Sequence, residues 1–202
     1  MTPDDRRAMK RRAPHVSLSI ENLKGGSLLP DRLALLDVLP KNAVVAEVGV
    51  AFGDFTREIV RRAQPSSLHL IDAWSSDRYK SGLAAIEEEH AEAIQAKRVQ
   101  IHHGLSIEVL PTLPDQSLDW IYIDTDHSYE TTWAELVIAE QKVRLDGYIC
   151  GHDFCVGNVI TPWPYGVIEA CNKFCVEYGW RYSYLTVESN GHNSFGLQRL
   201  GY

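Results

Sequence analysis

Five short groups of polar and glycine residues recur along this chain, each just after an apolar run. They are Glu47, Gly49 and Gly53; Asp72; His103, Gly104 and Ser106; Asp124, Asp126 and His127; and His152 and Asp153. Gly49 and Gly53 let the backbone turn tightly and approach a ligand with no Cβ in the way, and a helix starting at Asp54 would offer free N–H groups beside them. Asp72 comes 19 residues after Gly53. A carboxylate placed there can accept both ribose hydroxyls of a nucleoside, or cap the next segment of chain. Asp124 and Asp153 close neighbouring runs. Two carboxylates converging on one crevice repel unless a proton or a cation lies between them, which points to a divalent metal with oxygen ligands. His127 and His152 are candidates for further ligands, for a general base, or for hydrogen-bonded structural residues.

The elements that must position these groups alternate. The runs Ala43–Val48, Ser67–Asp72, Arg98–His103, Leu118–Asp124 and Tyr148–Gly151 read as strands, several of them apolar enough to be covered on both faces. Helical patterns lie between them: about Asp54 to Arg62, Lys80 to Lys97, Ile107 to Leu110, and Tyr129 to Val143 with Ser128 as its cap. A short amphipathic helix from Pro30 to Leu39 precedes the first strand. Asp146-Gly147 reads as a turn. A helix from Gly166 to Tyr178 and two strands, Trp180–Val187 and Ser194–Leu200, finish the chain, and Asn190-Gly191 between those strands signals a hairpin. Strand–helix alternation makes a parallel sheet with right-handed crossovers, and ligands of such sheets bind beyond the carboxyl ends of the strands. Every polar group above sits at one of those ends.

A chain of 202 residues holds one good core. Residues 1–25, with Arg6, Arg7, Lys10, Arg11 and Arg12, read as a basic flexible tail, and 26–202 as one domain. The formal net charge of -7 argues against bulk nucleic-acid binding. No apolar run approaches a membrane span and no signal peptide stands at the start. The four cysteines, Cys150, Cys155, Cys171 and Cys175, form no CxxC pair, so a zinc ribbon is not expected and a reduced, cytoplasmic setting fits.

Together these stretches resemble a known family. Glu47-Val-Gly49-Val-Ala-Phe-Gly53 resembles motif I of class I S-adenosylmethionine (SAM) dependent methyltransferases, and His69-Leu-Ile-Asp72 their acidic second motif. Ile123-Asp124-Thr-Asp126-His127-Ser-Tyr129-Glu130, Gly151-His152-Asp153-Phe154, Gly166-Val-Ile-Glu-Ala and Ser194-Phe-Gly-Leu are similar to segments of the subgroup called methyltransferase family 24. The resemblance covers about residues 40 to 200. It implies an α/β, Rossmann-like sandwich whose seven-stranded, mostly parallel sheet has the order 3-2-1-4-5-7-6 and helices on both faces. SAM would lie across Glu47, Gly49, Gly53, Asp72, Ser106 and Asp124. Related sugar O-methyltransferases hold Mg²⁺ at positions that correspond to Asp124, His152 and Asp153. Here His152 replaces a carboxylate, and imidazole suits zinc, iron or nickel better than magnesium.

The expected reaction is O-methylation of a small molecule such as a sugar or a natural product. The donor's methyl is already activated, so alignment in a line is the main task, with Asp124 near the reacting end and His127 or His152 taking the acceptor's proton. Tyr129, Trp163, Tyr165 and His192 would line the acceptor side, and the loop from Phe154 to Tyr165 reads as a lid or as an apolar plug. With little chain before motif I, the acceptor pocket is open or is completed by a second copy in a homodimer. Three other readings remain: a SAM-binding scaffold without catalysis, a metal-dependent hydrolase using Asp124, Asp126, His127, His152 and Asp153, and an NAD-dependent oxidoreductase. The last would want a middle glycine that the Gly49-x-x-x-Gly53 turn lacks.

Overall fold

In a computed structural model, which describes residues 1–201, the chain runs through α1 (Pro3–Arg12), β1 (Ser27–Leu29), α2 (Arg32–Val38), β2 (Val44–Val48), α3 (Asp54–Ala63), β3 (Ser67–Asp72), α4 (Gly82–Glu89), α5 (Ala91–Gln95) and β4 (Val99–His103). It continues through α6 (Ser106–Val109), β5 (Leu118–Ile123), α7 (Tyr129–Lys142), β6 (Val143–Gly151), β7 (Gly157–Asn158), β8 (Trp163–Pro164), α8 (Val167–Tyr178), β9 (Trp180–Thr186) and β10 (Phe195–Arg199). Tyr202, the last residue of the expected domain, lies outside the described residues.

The main sheet has the order β1-β9-β10-β6-β5-β2-β3-β4. Its seven core strands, counted from β2, take the expected order 3-2-1-4-5-7-6, with β10 antiparallel to both its neighbours. The eighth, β1, is an addition: Ser27, Leu28 and Leu29 pair in parallel with Tyr184, Leu185 and Thr186 at the sheet edge. Three residues are too few for alternation to show in the sequence.

Side chains alternate across the sheet, and each face has its own apolar cluster. On one face Ala46, Val48, Ile121, Ile123 and Ile149 pack with Leu136 and Ala139 of α7 and Val167, Ala170 and Phe174 of α8. On the other, Val45, Leu68, Leu70, Trp120 and Tyr122 pack with Leu35 and Leu36 of α2, Ile59 of α3 and Ile86 of α4. Both faces being covered explains the near-continuous apolar strands.

Four local expectations change. The helix expected from Lys80 to Lys97 is two helices that meet at His90. Their junction comes after three adjacent carboxylates, Glu87 to Glu89, crowded at the negative end of α4, and Glu89 is drawn sideways by Arg57, whose Nε donates to both its oxygens at 2.8 and 3.0 Å. Asp146-Gly147 is no turn but part of β6. There the pairing with β5 jumps from Val143 to Tyr148, and a Cβ on Gly147 would lie 2.6 Å from the Asp119 carbonyl oxygen. Residues 3–12 of the expected tail are helical, with Thr2 and Asp5 forming a reciprocal cap. Lys10 holds this helix down: its Nζ donates to the Tyr165 carbonyl at 2.9 Å and pairs with Glu169. The loop from Phe154 to Tyr165 carries a two-stranded ribbon, β7 with β8. Among the described residues, no helix is long and apolar enough to cross a membrane.

Candidate functional site

At the carboxyl ends of β2, β3, β4 and β5 lies a cleft of about 650 Å³. Glu47, Gly49, Asp72, Ser106, Asp124 and His127 line it together. Gly53, His152 and Asp153 do not.

The glycine turn is built by contact. Gly49 has φ +90°, and a Cβ there would stand 1.9 Å from the carbonyl oxygen of Asp124, so any side chain would force β2 and β5 apart. Gly53, at φ +76°, is the left-handed residue that starts α3. Asp72 fastens the turn from below. Its Oδ2 accepts the Val50 and Ala51 N–H groups at 2.8 and 2.9 Å, its Oδ1 accepts the Trp74 N–H at 2.7 Å, and the Trp74 indole donates to the Ala51 carbonyl at 2.8 Å. Three of roughly four acceptor positions on this carboxylate are therefore taken by backbone. Asp72 thus caps the segment after β3 and also lines the cleft.

Glu47 is 1% exposed and accepts the Thr56 hydroxyl at 2.6 Å. Burial pushes its carboxyl up to about 8, against the lowering effect of Thr56, so it is neutral at pH 7. Deeper under the cleft floor, Glu135 accepts the Thr125 hydroxyl at 3.0 Å, and burial pushes it up to about 7.

At the far end the acidic and imidazole groups gather. Asp124 Oδ2 is 3.7 Å from His152 Nδ1 and 4.0 Å from a guanidinium nitrogen of Arg32, and its Oδ1 is 4.0 Å from His127 Nδ1. Burial raises the Asp124 carboxyl, with the two histidines opposing. Asp153, held at φ +55°, is the hub. Its Oδ2 faces His127 Nε2 at 3.1 Å and His152 Nδ1 at 3.6 Å, and its Oδ1 bonds His192 Nδ1. Burial would raise this carboxyl, but the bond from His152, the charge of His127 and the bond from His192 outweigh it and hold it well below the usual carboxylate range. Burial lowers His152, yet Asp153 and Asp124 together carry it above its ordinary value. The Tyr165 ring covers this corner, 4.7 Å from the His127 ring and 6.2 Å from that of His192.

Asp124, His152 and Asp153 each place a ligand atom within 4.8 Å of the others. That spacing suits a small cation. The donor set, two carboxylates and an imidazole, does not match the all-oxygen octahedron that Mg²⁺ demands.

Arg32 carries no sequence signal of its own, although Asp31 beside it is visible as a helix start. It caps the Phe55 ring at 4.8 Å, faces Asp124, and is placed there by α2, whose first backbone N–H groups bind Asp31 and Glu188. Nothing short of the fold brings Arg32 to Asp124.

A search of curated proteins finds no match. Solved structures do match. Cofactor-bound Rv0187 from MTB is similar over 98% of this chain and 88% of that one, at 20% identity and TM-score 0.63. The tRNA methyltransferase TrmK from B. subtilis is similar over 85% of this chain and 66% of that one, at 12% identity and TM-score 0.60. The pyocyanin biosynthetic protein PhzM is similar over 79% of this chain at 12% identity and TM-score 0.57, and this chain spans 51% of its length. The profile of methyltransferase family 24, described as a methyltransferase domain, matches residues 46–154, more than half of the 202. The chain belongs to this methyltransferase domain family and has the fold of class I SAM-dependent methyltransferases.

Proposed function

We propose that this domain transfers the methyl group of SAM to a hydroxyl of a small molecule such as a sugar or a natural product. The observation that carries the reading is one continuous cleft, sized for a nucleoside-bearing ligand, lined together by Gly49, Asp72, Asp124 and His127. SAM supplies the activated methyl sulfonium. Asp72 offers its remaining acceptor position to a ribose hydroxyl, and Gly49 keeps the floor free of side chains. Ser106 lines the cleft with Leu105 and Ile107, where the adenine would lie. Neutral Glu47 avoids placing a second full negative charge beside Asp124.

His127 is the better base of the two histidines, because it lines the cleft and His152 does not. Asp153 holds its Nε2 at 3.1 Å, an orienting contact of the kind a general base needs. In this reading His152 steadies Asp124 and Asp153, and no step is routed through a metal. The unpaired cysteines support a reducing, cytoplasmic setting, and residues 26–202 form the catalytic domain with α1 as an appendage.

An RNA acceptor, which the name of TrmK suggests, finds support in the basic face of α1 but not in the net charge of -7. Calorimetric titration of SAM and of S-adenosylhomocysteine into the protein, with and without divalent metal, tests the donor. Micromolar binding, about -8 kcal/mol, that is lost in Asp72→Ala supports the proposal. No binding under any condition overturns it. Donor binding without turnover on any hydroxyl acceptor would leave a SAM-binding scaffold instead.

A further inference from the structure

Asp153 presents its two oxygens to different neighbours. Oδ2 belongs to the corner with Asp124, His127 and His152. Oδ1 points the other way, to His192, and beyond it the Cys155 sulfur lies 3.9 Å from His192 Nδ1. Ligand atoms of Asp153, Cys155 and His192 all fall within 4.8 Å of one another.

We propose that Asp153, Cys155 and His192 form a binding site for a borderline divalent metal ion such as zinc. Thiolate, imidazole and carboxylate together make a donor set that zinc, cobalt or ferrous iron accepts and that magnesium and calcium, which want oxygen throughout, do not. The spacing agrees. A tetrahedral zinc with Zn–S of about 2.3 Å and Zn–N of about 2.0 Å separates its sulfur and nitrogen ligands by about 3.5 Å, close to the 3.9 Å between Cys155 and His192.

The backbone holds the three ligands in place although 37 residues separate Cys155 from His192. The Phe154 N–H donates to the Asn193 carbonyl at 2.8 Å, tying the segment after β6 to the segment before β10. The Cys155 N–H donates to the Asp153 carbonyl at 2.7 Å, a tight turn that puts both side chains on one side. The loop with His192 is braced in turn: its N–H donates to Asn190 at 3.0 Å, and Asn193 accepts the Glu188 N–H at 2.9 Å. Three protein ligands leave a fourth position open, as in zinc sites that bind water or substrate. None of the three residues lines the donor cleft, although Asp153 is shared with the His127 corner through its other oxygen.

Cobalt reports on the site without any activity assay. Untagged, metal-stripped full-length protein titrated with Co²⁺ is expected to show thiolate-to-cobalt charge-transfer absorption that saturates at one ion per chain. One equivalent of Zn²⁺ should abolish it, and excess Mg²⁺ should leave it unchanged. Cys155→Ser should lose the band, and His192→Ala should weaken Co²⁺ binding at least tenfold, with circular dichroism showing that both variants are folded. Asp124→Asn should keep the band. No charge-transfer band in the wild type, or a band that survives in Cys155→Ser, overturns the assignment. So does visible cobalt d–d absorption with no charge-transfer band that is lost in Asp124→Asn and unchanged in Cys155→Ser, which would put the ion on the other side of Asp153.

Discussion

Replacing Glu47 with glutamine should make the protein more stable in alkali. The side chain is 1% exposed and lies at the end of β2, with burial lifting its carboxyl from 4.5 to about 8. Between those two values the native chain keeps a proton that the unfolded chain has given up. Stability from this group is fully present below pH 4.5 and is lost as the pH rises through 8. The loss is about 1.4 kcal/mol per pH unit across the window, on the order of 5 kcal/mol in all and an upper figure. Glu47→Gln is neutral at every pH, and its amide oxygen can still accept the Thr56 hydroxyl that Glu47 accepts at 2.6 Å. Urea denaturation of both proteins from about pH 5 to about pH 9, followed by tryptophan fluorescence, reads the difference directly. Glu135, lifted to about 7, titrates equally in both and cancels. Wild type and variant should agree near pH 5 and diverge with rising pH, the variant ending several kcal/mol more stable. Parallel curves would refute the argument, because Glu47 would then be ionised in the native state.

Gly49→Ala should abolish donor binding in calorimetry and lower the melting temperature, since its Cβ would sit 1.9 Å from the Asp124 carbonyl and φ is +90°; strain of this kind costs about 1–3 kcal/mol before the clash is counted. His69 Nδ1 is 3.0 Å from His102 Nε2, and burial, then the charge of His102, holds His69 down at about 4. Its contribution is complete above pH 6.5 and is lost as the pH falls through 4, so His69→Gln should show a shallower acid loss of stability by circular dichroism than the wild type. Lys10→Ala removes the contacts to Tyr165 and Glu169 that hold α1; limited trypsin digestion should then cleave between Arg6 and Arg12 several-fold faster, and an unchanged rate would show that α1 is held by other means.

The parts of this fold legible from sequence are those where one stretch carries its own signal. Ser67–Asp72 can be read to the residue, the core strands follow from alternation, and their order follows from the family resemblance. The cleft residues could be named because each lies within a few positions of its strand's end. What stayed hidden arises from contacts between distant segments. Arg32 meets Asp124 across the sheet, and Cys155 meets His192 only because β10 lies against β6. Taken alone, Cys155 is one of four cysteines with no pairing motif, and His192 reads as a residue of the acceptor side with nothing to tie it to Cys155. The helix α1 was masked by its composition, since a run of arginines reads as solvated whether or not it is capped and anchored.

The edge strand β1 has a bearing on how the chain comes off the ribosome. Ser27 pairs with Tyr184, the buried Asn22 amide donates to the Trp180 carbonyl at 2.8 Å, and the Arg32 N–H donates to Glu188 at 3.1 Å. Nearly the first ordered segments are thus closed by nearly the last. During synthesis β2 to β5 can pair as they emerge, but Asn22, the strand β1 and the Arg32 N–H meet these partners only after about 150 more residues have been made. The centre of the sheet can therefore close before its rim, where the early segment waits for the hairpin of β9 and β10.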